Sequence, residues 1–399
     1  MSNTHAGTFE STVEGLMGAM ETIAPLTMAE PWDRVGLHIG DPDRDLSGPV
    51  LLTIDLTERV LDEAIGLGAS AVVAYHPPIW EPIKRITSAT ATERIVRRAI
   101  EAGIAVYSPH TALDAAENGV TDWLCECVAE SGAVLPGKSA ITADVRALVP
   151  QPIREESQEV KLVVFTPRGS LEKLRGALAT AGAGRIGAYE VCSFAAEGVG
   201  TFFGTEGSSP VVGSAGRLEE NDEVRIEMVC SRQALPLAVE TLKQFHPYEE
   251  PAFDVYELHP KPMRACGAGR RIVLDQPATV PEIGQRLRAH LGVARIKYAL
   301  PEGIDQATKV RRIAVVPGSG GDLISTVVEN NCDLLVTGEM THHNVLSANA
   351  QGLAVLLAGH TNTERGYLPR LARNMGGLMP GVSIELSKAD RDPLLVLSE

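Results

Sequence analysis

The chain has no apolar run near the roughly 20 residues needed to cross a bilayer, so no membrane span is expected. Met1 to Glu10 carries no basic stretch followed by an apolar one, which argues against a leader peptide and for a cytoplasmic location. Positive charge is short: 36 Lys and Arg face 51 Asp and Glu, a net charge of −15, and a basic nucleic-acid coat is thereby excluded. Nucleic acid is disfavoured as a partner. The six cysteines are scattered over 399 residues and set up no disulfide framework. Only Cys125 and Cys127 are close, and on a helix two positions apart their sulfurs point about 200° from one another. Aromatic residues make up only 4%, yet 44% are hydrophobic, enough for two or three units of domain size and at least one sizeable core.

What is present is alternation. From Val50 on, short β-rich runs alternate with helical patterns, the mark of an α/β fold with a mostly parallel sheet. Val50–Ile54, Ala71–Ala74 and Ile104–Tyr107 read as strands, with helices over Glu58–Leu67 and Thr92–Ala102. The rhythm returns near the C-terminus, with strands over Arg312–Val316, Asp333–Thr337 and Leu353–Ala358 and helices over Asp322–Glu329 and His343–Ala350. Ile104 to Asp114 overlays Leu353 to Glu364 with one residue of slack, each an apolar strand running into His-Thr-x-x-acid. Two pseudo-symmetric α/β lobes, 1–145 and 265–399, are therefore expected to form one discontinuous outer domain.

Between them Val134–Gln158 is Pro-rich and polar, and a compact run follows over 159–260. It reads as strand Val160–Phe165, helix Leu171–Ala181, a Gly-marked strand pair Tyr189–Phe194 and Gly198–Phe203, strand Glu223–Val229, helix Gln233–Phe245 and strand Phe253–Leu258. That order, βαββαβ, predicts a ferredoxin-like α+β insert.

Reactive groups of an open parallel sheet gather beyond the carboxyl ends of its strands. Tyr75 and His76, His110 and Asp114, Glu339 with His342 and His343, and His360 with Glu364 all sit there. This mixture suits a first-row divalent cation such as zinc, manganese, iron or cobalt. If a helix starts near Thr361, His360 and Glu364 converge one turn apart, and His110 with Asp114 repeats the spacing. Each residue taken singly also reads as a cap, a buried hydrogen-bonded imidazole or an early-turn acid.

Pro317 to Asp322 is a glycine-rich turn in which Gly318 and Gly320 either cradle an anion or tighten the chain. It lacks the Lys-Ser/Thr ending of a P-loop. Lys84 and Arg85 either meet an anionic substrate or are solvated surface. His246-Pro-Tyr-Glu-Glu250 reads as a second metal patch or, more simply, a Pro-bracketed turn.

Tyr75-His76-Pro77-Pro78-Ile79, Ser108 to Asp114, Thr337 to His343 and Gly359 to Glu364 together resemble the Ngg-interacting-factor-three-like family, whose members are often labelled GTP cyclohydrolase I type 2 homologues. Pro31-Trp32-Asp33-Arg34-Val35-Gly36-Leu37 and His246 to Pro251 are similar to its other signatures. The resemblance implies a dinuclear metal centre between two α/β lobes, an insert like those of PII or CutA proteins, and homo-hexamers built from trimers. It implies that His76, Asp114 and Glu364 hold a first ion and that His360 with a bridging Glu364 holds a second. Tyr75 stands where many members have an imidazole, so one ion or two remain open. His110, Glu339, His343 and Tyr75 are implied to line the pocket as catalytic groups, beside a small anionic or nucleotide substrate. The function so implied is a divalent-metal-dependent hydrolase, with a non-catalytic metal-binding or regulatory ring protein as the alternative.

Overall fold

The computed structural model describes residues 8–129, 144–153 and 155–395. The chain divides into two compact units, Met1–Gln151 with Met263–Glu399, and Pro152–Pro262.

The first unit is mixed α/β. Its five-stranded sheet runs in the order Gly36–Ile39, Ala105–Ser108, Ala71–Ala74, Val50–Thr53, Ile384–Leu386. The first of these pairs antiparallel and the rest parallel. Val50–Thr53, Ala71–Ala74 and Ala105–Ser108 are buried at every residue, as expected of parallel strands covered on both faces. The helices between them start where side chains accept orphan amides, Thr57 Oγ1 from Val60 and Thr90 Oγ1 from Glu93. The second ends at Gly103, whose φ of 65° supplies the left-handed stop.

The six-stranded sheet runs Lys297–Ala299, Ala354–Leu357, Leu334–Glu339, Lys309–Ser319, Lys261–Thr279, Asp144–Ile153. Its three central strands, Ala354–Leu357, Leu334–Glu339 and Lys309–Ser319, are parallel. One apolar cluster joins both sheets, taking Leu52, Val73 and Tyr107 from the first and Ile313, Val336 and Leu356 from the second. Helices Val13–Ile23, Val120–Val128 and Leu368–Leu378 add Leu16, Leu124 and Leu371 to it. Because close-packed interiors resist shear, the strand ends of the two sheets are fixed against one another. A buried Arg270 adds a polar clamp, donating to Asp122 Oδ1 at 2.6 Å and to the carbonyls of Gly267, Gly269, Ala115 and Ala116.

The second unit holds a four-stranded antiparallel sheet in the order Phe194–Phe203, Leu218–Cys230, Val160–Pro167, Phe253–Glu257. Helices Leu171–Thr180 and Leu235–Phe245 bury Leu174, Leu178, Ala238 and Leu242 in its core.

Several expectations are corrected. Tyr189–Phe194 and Gly198–Phe203 are not a strand pair: Phe194–Phe203 is one strand, with Gly198 and Gly200 inside it, and its partner is Leu218–Cys230. The glycines, taken as turn signals, lie opposite Glu223 and Asn221. Within the Pro-rich Val134–Gln158, residues 134–143 and Arg154 lie outside the described residues, and Asp144–Ile153 is an edge strand. Edges tolerate Pro150 and Pro152, which have no amide to offer a neighbour. The 19-residue strand Lys261–Thr279 was also hidden, by its Arg, Gly and Pro. Cys125 and Cys127 are both buried and unbridged. Among the described residues no helix is long and apolar enough to cross a membrane.

Candidate functional site

Four strand ends in the first unit present the titratable side chains. Tyr75 and His76 follow Ala71–Ala74, while His110 and Asp114 lie on helix His110–Ala115 after Ala105–Ser108. Glu339 ends Leu334–Glu339, and His360 with Glu364 follow Ala354–Leu357, Glu364 on the short helix Asn362–Arg365.

Three of these converge. One ligand atom each from His76, His360 and Glu364 lie within 4.8 Å of one another. Glu364 is 2% exposed, and its two oxygens face different imidazoles: Oε1 lies 3.3 Å from His360 Nε2, Oε2 3.5 Å from His76 Nε2. Each ring is turned by a carboxylate on its other nitrogen, His76 Nδ1 to Asp55 at 2.9 Å and His360 Nδ1 to Glu339 at 2.9 Å. Such outer carboxylates commonly orient metal-binding imidazoles. Burial works against charge on His76, but the Asp55 hydrogen bond and the Glu364 carboxylate outweigh it and raise the imidazole to about 10. The pocket therefore demands positive charge. Glu364 Oε2 is buried with no hydrogen-bond partner, an uncompensated cost unless something cationic meets it. Gly318, at φ 60°, leaves the room: a Cβ there would stand 2.8 Å from Glu364 Oε1 and 3.2 Å from His360 Nε2. Two imidazoles, a bare carboxylate and a side-chain-free wall fit a divalent ion.

The neighbouring corner is built differently. His110 donates from Nδ1 to Asp33 at 2.7 Å, with a backbone φ of 29° that non-glycine residues rarely adopt. Burial would raise Asp33, yet its hydrogen bonds from His110 and Thr111 and the His110 charge hold it below the usual carboxylate range. Tyr75 donates its hydroxyl to Asp114 Oδ1 at 2.5 Å. Burial, with Asp114 and Glu364 close by, drives the Tyr75 phenol well above its ordinary value, so it stays a donor. Burial raises Asp114 to about 7. The His110 ring lies 5.4 Å from that of His76 and meets Trp32 and Trp80 edge-on at 6.2 and 6.1 Å. Both indoles are about half exposed, at 54% and 45%.

The other expected site residues fall elsewhere. His343 and its neighbour His342 are exposed, and neither bonds to the triad among the described residues. Lys84 and Arg85 are exposed on the loop after His76, with no bond to the triad. The Gly318 amide donates to Thr363 Oγ1 at 2.9 Å. Gly320 packs its Cα against Thr337. The stretch is the end of the strand Lys309–Ser319 running into a short 3-10 helix, Gly321–Leu323, with Gly318 against the carboxylate. In the second unit, His246 donates from Nε2 to the Phe165 carbonyl and accepts the Tyr248 amide on Nδ1, so both nitrogens are spent on a turn. Asp55 and Trp80 were missed as site residues because nothing in their own spacing marks them, and Asp33 was legible only as part of the Pro31–Leu37 signature.

Comparison with known proteins agrees along the whole length. Residues 11–393 match the Duf34/NIF3 (NGG1p interacting factor 3) family. The NIF3-like protein 1 of Bos taurus is 32% identical over 96% of this chain and 92% of its own length. The GTP cyclohydrolase 1 type 2 homolog of Bacillus subtilis is 31% identical, covering 94% and 96%. A crystal structure of a Bacillus cereus protein related to NIF3 superposes with a TM-score of 0.62 at 31% identity, covering 97% of this chain and 99% of that one. On this agreement of motif order, strand-end chemistry, sequence and fold, the chain belongs to the Duf34/NIF3 family.

Proposed function

We propose that the chain is a divalent-metal-dependent hydrolase acting on a nucleotide-like or phosphate-containing small molecule. The observation that carries this reading is the Glu364 carboxylate, buried between two imidazoles with one oxygen unpartnered. His76, His360 and Glu364 would hold the ion; Asp114, the other expected ligand, has its Oδ1 taken by the Tyr75 hydroxyl. A bound zinc, manganese, iron or cobalt ion supplies Lewis acidity and lowers the pKa of a water toward about 7. The chain's own residues do the rest. Asp55 and Glu339 fix the two ligand rings. His110, anchored to Asp33 through Nδ1, keeps Nε2 free to take and return a proton beside His76. Tyr75 holds Asp114. The half-exposed Trp32 and Trp80 against His110 suit a planar ring. The name of the Bacillus subtilis relative, GTP cyclohydrolase 1 type 2 homolog, supports a nucleotide.

We further read the two sheets as pseudo-symmetric lobes and the second unit as a ferredoxin-like module of the PII or CutA type, assembling as a homo-trimer or hexamer. The apolar side chains exposed on its edge hairpin, Phe194, Val199, Phe203 and Leu218, suit self-association, which sedimentation would test. The test of function is turnover. Protein loaded with manganese or zinc is assayed against nucleotides and phosphodiesters, and Glu364→Ala should abolish both bound metal and rate. Turnover unchanged in that variant overturns the reading. Metal retained by the wild type without turnover on any substrate favours the regulatory alternative.

A further inference from the structure

Beside the triad lies a cavity of about 570 Å³ that no expected site residue except His76 enters. Asp55, Arg59, Pro78, Arg391 and Asp392 line it with His76. Its carboxylates are occupied: Asp55 holds His76, and Asp392 accepts from Thr361 Oγ1 at 3.0 Å and from the Leu394 amide at 2.7 Å. Its guanidinium groups are not. Arg59 donates only Nε, to the Ala389 carbonyl at 3.0 Å, and Arg391 makes no hydrogen bond or ion pair among the described residues. In a chain of net charge −15 this is informative, for Arg94, Arg365 and Arg370 of the same unit each sit on a carboxylate.

The two cations are also held in place. Glu63 accepts the Lys388 and Ala389 amides at 2.8 and 3.0 Å, and Asp390 accepts the Ile54 amide at 2.9 Å. The segment just before Arg391 is thereby pinned to Ile54, next to Asp55, and to the helix Glu58–Gly66 that carries Arg59. Paired guanidinium forks on a fixed frame match the oxygens of a phosphoryl group better than a lone ammonium does.

We propose that Arg59 and Arg391 are a phosphoryl-binding arm of this site, gripping a phosphate group of the substrate beside His76. The assignment rests on the hydrolase reading for its substrate but can fail separately from it. The experiment titrates inorganic phosphate into full-length, chelator-treated protein, followed by calorimetry or phosphorus NMR, so that neither metal nor turnover contributes. Wild type should bind with a Kd on the order of millimolar, and Arg59→Ala with Arg391→Ala, or Arg391→Glu alone, should weaken it by at least about tenfold. Lys84→Ala and Arg85→Ala should leave it unchanged, and equimolar acetate should not displace it. No binding by wild type, affinity kept within about twofold in the double variant, or displacement by acetate overturns the proposal. Metal content, measured on the same variants, reads the triad independently. After reloading with manganese or zinc, loss of phosphate binding with metal uptake retained supports the arm, whereas a wild type that takes up no metal yet still binds phosphate defeats the hydrolase reading alone.

Discussion

His360 with Glu364 and His110 with Asp114 share the same spacing, each pair following a parallel strand, yet they end in different chemistry. In the first pair the imidazole comes to 3.3 Å of the carboxylate, which is left bare on its other oxygen. In the second, the imidazole turns away to Asp33 and the carboxylate is taken by Tyr75. The side chains around the two carboxylates differ. Near the first pair Gly338 carries none, and a Cβ there would strike the Gly318 carbonyl oxygen at 2.5 Å and the His360 Cα at 2.8 Å. Beside Asp114 stands Tyr75, long enough to reach across and donate. A spacing motif sets which groups can meet; the neighbouring strand sets whether they are free when they do.

The severest test of this contrast is removal of the bare carboxylate. Glu364→Gln keeps the shape but loses the charge facing both rings, and elemental analysis should find metal content near zero under conditions that load wild type. Asp114→Asn, on the protected side, should lose far less. If the two variants were equal, the corners would not differ in kind.

Next come the orienting carboxylates. Asp55→Asn and Glu339→Gln should each weaken metal binding by about 10–100-fold, the usual cost of losing an outer partner of a ligating imidazole. Asp33→Asn, which orients His110 instead, should leave metal affinity intact and lower any turnover.

These partners also mark where the sequence stops being readable. The strands that deliver the site were legible because Val50–Thr53, Ala71–Ala74 and Leu334–Glu339 are short apolar runs closed by polar loops. His360 and Glu364 were legible as one helical turn. The pairings of Asp55 and Asp33 were not, since each reaches its imidazole across 21 and 77 positions of chain from a loop without periodicity. Arg391 was hidden likewise, because its place depends on Ile384–Leu386 returning to the first sheet beside Val50–Thr53. Gly318 reads from the sequence as an anion cradle or a tight turn, and neither reading shows that its missing side chain leaves room beside Glu364 and His360.

A smaller effect follows from proton competition. His76 in the metal-free chain is raised to about 10 by the carboxylates on both its nitrogens, against burial. Its folded value therefore lies above the ordinary imidazole value of about 6.5, so the stability this proton contributes is fully present below about 6.5 and is lost as pH rises through about 10. A metal ion must displace that proton. Apparent metal affinity should rise by about tenfold per pH unit across neutral pH, with about one proton released per ion, as calorimetry in buffers of different ionisation enthalpy would read. Affinity independent of pH between 6 and about 8 would remove His76 from the ligand set.

The finest test concerns Tyr75. Tyr75→Phe removes the hydroxyl from Asp114 and leaves the ring packing intact. If the hydroxyl holds Asp114 in position, the loss strands a carboxylate oxygen and should cost on the order of 1–3 kcal/mol of stability by thermal or urea unfolding, while metal affinity falls by less than about tenfold. The opposite sign is equally readable. Were metal bound more tightly in Tyr75→Phe, the phenol would be competing with the ion for Asp114, and the two corners would be alike in capacity, separated only by one hydroxyl. Tyr75→His extends the same logic, placing an imidazole beside Asp114; a rise in ions bound per chain, counted against wild type, would show that the residue at position 75 sets the number.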